Sequence, residues 1–584
     1  MQPVFKVHYL LNVRSIYMHS IHFNLIMKHV LFLILTFLFS SQILSSQNLL
    51  PLEWSLKFDS TPTVTHPINL LLSWERQGVY ARDGKGCLSC NFDLNKALQK
   101  KPLLLKVGLQ CRVEKIFVNN TLIGENIPEH FYSNRNLQKT YLLPEGCLND
   151  NDKNQIRIYL SSLSYTGGVS HNSCTLSPVD SSKSVQSVAI QMDPSDHLFT
   201  SKSPAITLHY KVHTKTTLRL IVNNDFHRHI VERTFTVSPS DTMLTVKLSK
   251  EITQPGFYEC IALLKGQDNL GDVEWLAYRP EEIRCKDTQP SDFRSFWQET
   301  LTELKKIDPR FAMHKIDSLS RGKRDGYVIE MQSLGGLTIR GYYFVPRKEG
   351  RFPAILHVPY YGQGFQNVDQ FINGGDNVIE LALCARGHGL SADKFNPGFG
   401  IPGIWGYKLY SKQGNAYRGI YMDCVRAVDF LFSRPETDTL RVGVRGGSQG
   451  GGLTLVTAGL CGKRIAACAY FDPFPCDIHD FINIRTICQK ELKGFLDYYH
   501  NPCSFEEALK VQDLINTKNF ASWITCPVLF TTALFDDDCP PHVGFSAYNT
   551  IKSPKEFKIY PRDCHVDDRP YGALSEWLKK KFGL

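Results

Sequence analysis

The sequence predicts an α/β protein: a C-terminal, mostly parallel, doubly wound sheet preceded by two β-sandwich domains. Three observations lead there. Between about residues 50 and 286, short alternating apolar runs are broken by turn residues, the period of half-buried strands. From Ser291 and Asp292 onward, Phe293, Phe296, Trp297, Leu301 and Leu304 recur at helical spacing. Beyond them, near-continuous apolar runs alternate with helical stretches, as in a parallel sheet covered on both faces. At 584 residues the chain also exceeds the roughly 250–300 at which a single core stops growing, so several domains are expected.

Taken in order, Met27-Lys28-His29 precedes an apolar run from Val30 to Phe39 and then the small polar stretch Ser40-Ser41-Gln42. That is the layout of a secretory signal peptide. The run is shorter than the roughly 20 apolar residues of a membrane span. Residues 1–46 are therefore read as a signal region with Met27 as the true start, and the protein as exported, secreted or periplasmic, with no stable membrane span. In residues 47–182, Val113 to Val118, Asn119-Asn120 and Thr121-Leu122-Ile123 predict a hairpin, because Asn tolerates the positive φ of a two-residue turn. Ile156 to Leu160 is a further strand. The succession VEKIFVNNTLIGEN, YLLPEGCLNDNDKNQIRIYL and SYTGG resembles the galactose-binding-like jelly rolls appended to glycan-active enzymes, which implies a carbohydrate-docking or spacer role. In residues 183–286, strands at Ile206–Tyr210, Leu218–Val222, Leu244–Leu248, Phe257–Leu264 and Trp275–Tyr278 suggest an immunoglobulin-like sandwich, read as a rigid connector.

Residues 287–584 form the α/β domain. Ser291 or Asp292 is positioned to cap its first helix. Tyr327–Met331 and Leu337–Val345 predict a hairpin around Gly335-Gly336, and Ala354–Val358, Val378–Ala385, Val442–Arg445, Ala466–Phe471 and Val528–Ala533 read as buried strands. The composition, 42% hydrophobic and 21% charged, is that of globular domains, and a net charge of +9 without a basic stripe argues against a nucleic-acid partner. The 17 cysteines are odd in number, so at least one has no partner within the chain. Cys87 and Cys90 form a lone CxxC with no second ligand pair, which reads as thiols or a local disulfide rather than a metal site.

The chemistry is concentrated in Gly446-Gly447-Ser448-Gln449-Gly450-Gly451-Gly452, which follows a predicted strand directly and opens the apolar helix Leu453–Leu460. A strand, a G-x-S-x-G turn and a helix make a nucleophile elbow. Gly446 and Gly450 keep strand and helix close, while the turn leaves the Ser448 hydroxyl exposed near a helix N-terminus that favours developing negative charge. The Lys-Ser/Thr of a phosphate-binding loop is absent. A serine hydroxyl needs a general base, and the base a carboxylate to hold its tautomer. The α/β-hydrolase order is Ser, acid, His. The strand ending at Ala533 runs into Leu534-Phe535-Asp536, and Phe557–Tyr560 leads to a loop holding His565. Asp536 and His565 are therefore the expected acid and base. Asp537 and Asp538 share the acid's turn as rivals; Asp567 and Asp568 lie too close to His565 in sequence.

The segments SDFRSFWQETLTEL, PYYGQGF, ARGHG, YRGIYMDCVRAVDFL, RVGVRGGSQGGGL, GKRIAACAYFDPFPCD, LFDDDCPPHVGFSAYN and IYPRDCH resemble those of acetyl xylan esterases and cephalosporin C deacetylases, carbohydrate esterase family 7, over about residues 288–584. The resemblance implies a cofactor-free and metal-free carboxylic-ester hydrolase acting on acetylated oligo- or polysaccharide. Its triad falls on Ser448, Asp536 and His565. Its oxyanion hole falls on the backbone N–H groups of Gln449 and Tyr360, with Tyr361 the alternative one position on. Relatives often form oligomers. Two positions depart from the family: His388 stands where Gln is usual in Arg386-Gly387-His388, and Val566 stands where Glu usually follows the histidine. Trp405, Tyr407 and Phe474 are candidate sugar-stacking aromatics. Alternative readings are a prolyl-oligopeptidase-type serine peptidase, whose elbows usually flank the serine with aromatics where this chain has Gly447 and Gln449, and a non-catalytic carbohydrate-binding protein.

Overall fold

The computed structural model describes residues 49–584 except 52, 60–61, 70–84, 95, 110–111, 126–138, 150–152, 162–168, 179–186, 201–202, 265–270, 362–363, 366–367, 396–402, 537, 564 and 566–567. The signal region expected over residues 1–46 lies outside the described residues, as do Asp537, Val566 and Asp567.

The C-terminal part is organised by a nine-stranded sheet. Its strands are β1 (Ala312–Lys315), β2 (Arg324–Ser333), β3 (Leu337–Pro346), β4 (Phe352–His357), β5 (Ile379–Cys384), β6 (Thr437–Ser448), β7 (Ala467–Pro473), β8 (Val528–Ala533) and β9 (Lys555–Tyr560). They lie in the order β1-β2-β3-β5-β4-β6-β7-β8-β9. Strands β4 to β9 pair in parallel, and β1 to β3 add an antiparallel edge. Every residue of β4, β5, β7 and β8 is buried, which explains why these segments read as continuous apolar runs. The β2–β3 connection runs through Gly335 and Gly336 at φ 76° and 68°, a left-handed path that any side chain would strain.

Five helices matter for the site: α1 (Phe293–Lys305), α2 (Ala416–Ser433), α3 (Gln449–Cys461), α4 (Pro541–Thr550) and α5 (Asp568–Phe582). Helices α2, α3 and α4 share one core with one face of the sheet. On the other face Leu574, Leu578 and Phe582 of α5 pack on Ile355, Ala467, Ala469 and Phe471. Helix α1 buries Phe293, Phe296, Trp297 and Leu304, and the Trp297 indole donates to the Leu514 carbonyl at 3.0 Å. Asp292 occupies its N-cap position without making a side-chain cap; its carboxylate takes Lys412 Nζ at 2.6 Å instead, because an ion pair outcompetes a single amide for those oxygens.

Before this sheet, two further cores are built mainly from strands, with the short helix Lys96–Gln99 placing Leu98 against the first. In the first, a six-stranded and a three-stranded sheet contribute Trp54, Leu56, Ile156 and Ile158, and Leu103, Leu105 and Leu176 respectively. The expected hairpin runs Arg112–Val118 to Thr121–Glu125, with Asn119 at φ 52°. Cys87 and Cys90 lie on one strand three residues apart, hence on opposite faces, and both are thiols. In the second, a three-stranded and a five-stranded sheet share Ile190, Ile206 and Leu208 with Leu218, Leu220 and Cys260. Strand His229–Val237 of this unit was not anticipated, since one face keeps Glu232, Thr234 and Thr236 in solvent while the other is only half-buried, which dilutes the apolar alternation.

Candidate active site

Ser448 ends β6 and caps α3 with φ 57° and ψ −127°, a strained conformation for a residue bearing a Cβ. Close packing forces the glycines around it. A Cβ on Gly446 would lie 2.6 Å from the Gly450 backbone, and one on Gly450 would lie 2.9 Å from the Val358 carbonyl. A Cβ on Gly447 would lie 2.3 Å from the Tyr571 ring, so the position before the serine has no room for an aromatic. The elbow thus presents Ser448 at the carboxyl edge of the parallel strands, where the loops after β4, β7, β8 and β9 also gather.

Of the three neighbouring aspartates, the structure brings Asp536 to the histidine. His565 Nδ1 lies 2.7 Å from Asp536 Oδ2. The other Asp536 oxygen accepts backbone N–H groups from Asp538 at 3.0 Å and Cys539 at 2.7 Å. A carboxylate only accepts, so His565 carries its proton on Nδ1 and Nε2 is the basic site of the ring. Asp538 turns elsewhere, to Arg485 at 3.5 Å. The two loops are tied by a backbone bond from Phe535 N to Asp563 O at 3.1 Å. Ser448 Oγ is 3.8 Å from the Cys539 thiol, which burial first, and then the neighbouring aspartates, hold well above its ordinary pKa; it stays a thiol rather than competing as nucleophile.

Gln449 is the first residue of α3, so its backbone N–H is among the free donors of a helix N-terminus. Its carboxamide is fully buried. Oε1 accepts from Tyr417 Oη at 2.9 Å, and Nε2 faces the carbonyls of Tyr360 at 3.3 Å and Pro359 at 3.4 Å and His388 Nε2 at 2.9 Å. The loop 358–360 is therefore held against the start of α3. Tyr360 is 41% exposed, with its ring edge-on to Phe365. Tyr361 is committed to packing: its hydroxyl accepts from Trp405 N at 3.1 Å and its ring meets Phe474.

Two buried carboxyl groups here, Asp472 and Asp423, were not anticipated, and His388, a departure from the family motif, gains a role. His388 Nδ1 lies 3.0 Å from the Arg386 carbonyl, an acceptor only, so Nδ1 bears the proton and Nε2 accepts from Gln449. Burial pushes its pKa down and keeps it neutral. Asp472, at the end of β7, is held well above the usual carboxylate range by burial and then by its hydrogen-bonded neighbour Asp536; one Asp472 oxygen also accepts from Ala533 N at 3.1 Å. Asp423 takes Arg386 through Nε at 2.9 Å and Nη2 at 2.7 Å, fixing the loop that presents His388. One expectation is corrected: Trp405 is only 2% exposed and packs edge-on against Phe474 and Phe481, so it has no face to offer a sugar. Tyr407 and Phe474 are half-buried.

With this geometry in view, residues 277–581 match the family model described as acetyl xylan esterase. The chain belongs to the acetyl xylan esterase family. As a member of that family it is a carboxylic-ester hydrolase with the α/β-hydrolase fold. The chain is 29% identical over 323 residues to the acetyl esterase Axe7A of Xylanibacter ruminicola, covering 52% of this chain and 70% of that protein. Among solved structures it is similar to acetyl xylan esterase 1 from Thermoanaerobacterium sp. JW/SL YS485, at 25% identity and a TM-score of 0.48, covering 52% of this chain and 98% of that one. It is also similar to the acetyl xylan esterase from Paenibacillus sp. R4, at 27% identity and a TM-score of 0.48, with the same coverage. Among the described residues, no helix is long and apolar enough to cross a membrane.

Proposed function

We propose that this esterase is an exported enzyme that removes acetyl groups from acetylated oligo- or polysaccharides, with Ser448 as nucleophile, His565 as general base and Asp536 as the residue that orients it. Ser448 Oγ attacks the acetyl carbonyl while His565 Nε2 takes its proton. His565 then returns that proton to the leaving sugar hydroxyl, and water cleaves the acetyl-enzyme with His565 again as base. The backbone N–H groups of Gln449 and Tyr360 receive the oxyanion, each worth about 3 kcal/mol in such sites. The observations that carry this reading are the Nδ1–H bond of His565 to Asp536 at 2.7 Å and the elbow conformation of Ser448.

Residues 47–182 serve in this proposal as a galactose-binding-like module and residues 183–286 as an immunoglobulin-like one; the two sheets around each single core support both assignments. Export rests on the apolar run Val30 to Phe39 behind Met27-Lys28-His29. The test is acetate release from acetylated xylo-oligosaccharides and from an aryl acetate, beside Ser448→Ala. Release from both substrates that falls by about a million-fold in the variant supports the mechanism. Full release by the variant removes Ser448 from it, and release from the aryl acetate alone removes the carbohydrate.

A further inference from the structure

The second strand-built unit meets the hydrolase at a revealing place. Phe535, the residue before Asp536, is buried in one small apolar cluster with Val273, flanked by Ile261 and Trp275. Glu274, between Val273 and Trp275 in the strand, accepts from Arg562 Nε at 2.9 Å. Arg562 lies on the loop that carries His565. Asp225, at the end of strand Thr216–Asn224, meets His542 Nδ1 at 2.7 Å, and Phe226 packs edge-on against the same imidazole. His542 sits in the first turn of α4, which continues directly from the acid turn. His542 Nε2 is also 3.5 Å from Asp480, so the imidazole lies between two carboxylates from different units.

Phe257 of the same unit also packs on Phe545 of α4, and the contacts named above share a location. They fall on the Asp536 turn, on the helix leaving it, and on the loop that carries His565. The backbone bond from Phe535 N to Asp563 O joins the two loops at the same point. Loops at the carboxyl edge of a parallel sheet are held by little of their own regular structure, so their alignment depends on what packs behind them. We propose that the second β unit is a positioning element of the active site, in which Val273, Glu274 and Asp225 hold the loops of Asp536 and His565 in register through Phe535, Arg562 and His542. The inference rests on the assignment of Asp536 and His565 under the proposed function. Val273, Glu274 and Asp225 act through other residues and are positioning residues.

The experiment uses the full chain and a fluorophosphonate probe, which reports attack by Ser448 without any sugar. The labelling rate is followed from pH 5 to 9 for wild type, Glu274→Gln, Val273→Ala and the pair together. Loosening the carboxylate beside an imidazole lowers the imidazole pKa. The paired variant is expected to label at least about tenfold more slowly at its plateau, with the acid limb of its profile moved to lower pH. A merely structural loss reduces the labelled fraction and leaves the midpoint in place. Should Val273→Ala fail to fold, the Glu274→Gln and Arg562→Gln cycle decides: effects that do not add support the coupling, and additive effects refute it. Wild-type-like rates and midpoints in folded variants overturn the inference. Absence of labelling in the wild type instead overturns the proposed nucleophile, so the two failures are distinct.

Discussion

Replacing His388 by Leu isolates what this histidine does where the family usually carries glutamine. The imidazole joins two buried groups: its Nδ1–H satisfies the Arg386 carbonyl at 3.0 Å and its Nε2 accepts an N–H of Gln449 at 2.9 Å. Leucine nearly fills the volume and leaves both groups without these partners. Gln449 Nε2 keeps the Tyr360 and Pro359 carbonyls, whereas the Arg386 carbonyl loses its partner, and stranding one buried polar group predicts a loss of about 1–3 kcal/mol from the hydrolase unit. The Gln449 carboxamide also faces the Tyr360 carbonyl, and Gln449 supplies a proposed oxyanion donor. A shift in that loop misaligns one donor, worth on the order of 10²–10³ in kcat when lost outright. The expected result is a lowered urea midpoint and a kcat on an aryl acetate down about 10–100-fold, with KM moved less. His388→Gln, which can both donate and accept, is expected to recover part of each loss. A leucine variant with unchanged midpoint and unchanged kcat would refute the argument.

Asp536→Asn keeps the size of the side chain and turns an acceptor toward His565 into a donor, or else faces its NH₂ group at the amides of Asp538 and Cys539; either way kcat should fall about 10⁴-fold in aryl acetate assays, with KM little changed. The clamp between the second β unit and α4 gives a pH signature: flanking carboxylates raise His542 to about 10 against burial, from 6.5. With the folded value above the unfolded one, the stabilisation is fully present below pH 6.5 and disappears as pH rises through about 10, on the order of 4–5 kcal/mol at about 1.4 per pH unit. Asp225→Asn should therefore lower the melting temperature at pH 7 and converge with wild type above pH 10.5, and parallel curves at all pH values would contradict this. His388 titrates with the opposite sign: burial lowers its folded pKa below 6.5, so its contribution is present above pH 6.5 and is lost on acidification, an effect absent from His388→Leu. Gly447→Trp should abolish soluble folding, since even a Cβ there meets the Tyr571 ring at 2.3 Å; a folded, active variant would show that the elbow tolerates the aromatic of peptidase-type enzymes.

Several features were legible in the chain because their causes are local. The elbow needs only a strand, small residues around Ser448 and a helix, all within about twenty consecutive positions, and strand, turn and helix formed where those residues lie. Parallel strands buried on both faces write themselves as unbroken apolar runs, so Val528–Ala533 was bounded correctly from sequence. The order Ser, acid, His then narrowed the acid to three adjacent aspartates. Sequence stopped at that turn, because residues one apart in a loop differ only in the direction each side chain takes.

Tertiary structure decided the direction: the amides of Asp538 and Cys539 and the ring of His565 converge on Asp536, while Asp538 points to Arg485. It also decided the role of groups whose partners lie far along the chain. His388 reads as a bare departure from a motif until Gln449 stands beside it, 61 positions on, and Asp225 reads as a turn residue until His542 arrives from 317 positions away. Trp405 reads as a sugar platform until Phe474 and Phe481 close over it. Burial and charge pairing are properties of a neighbourhood, and neighbourhoods assembled from distant segments leave no period or spacing in the sequence that builds them.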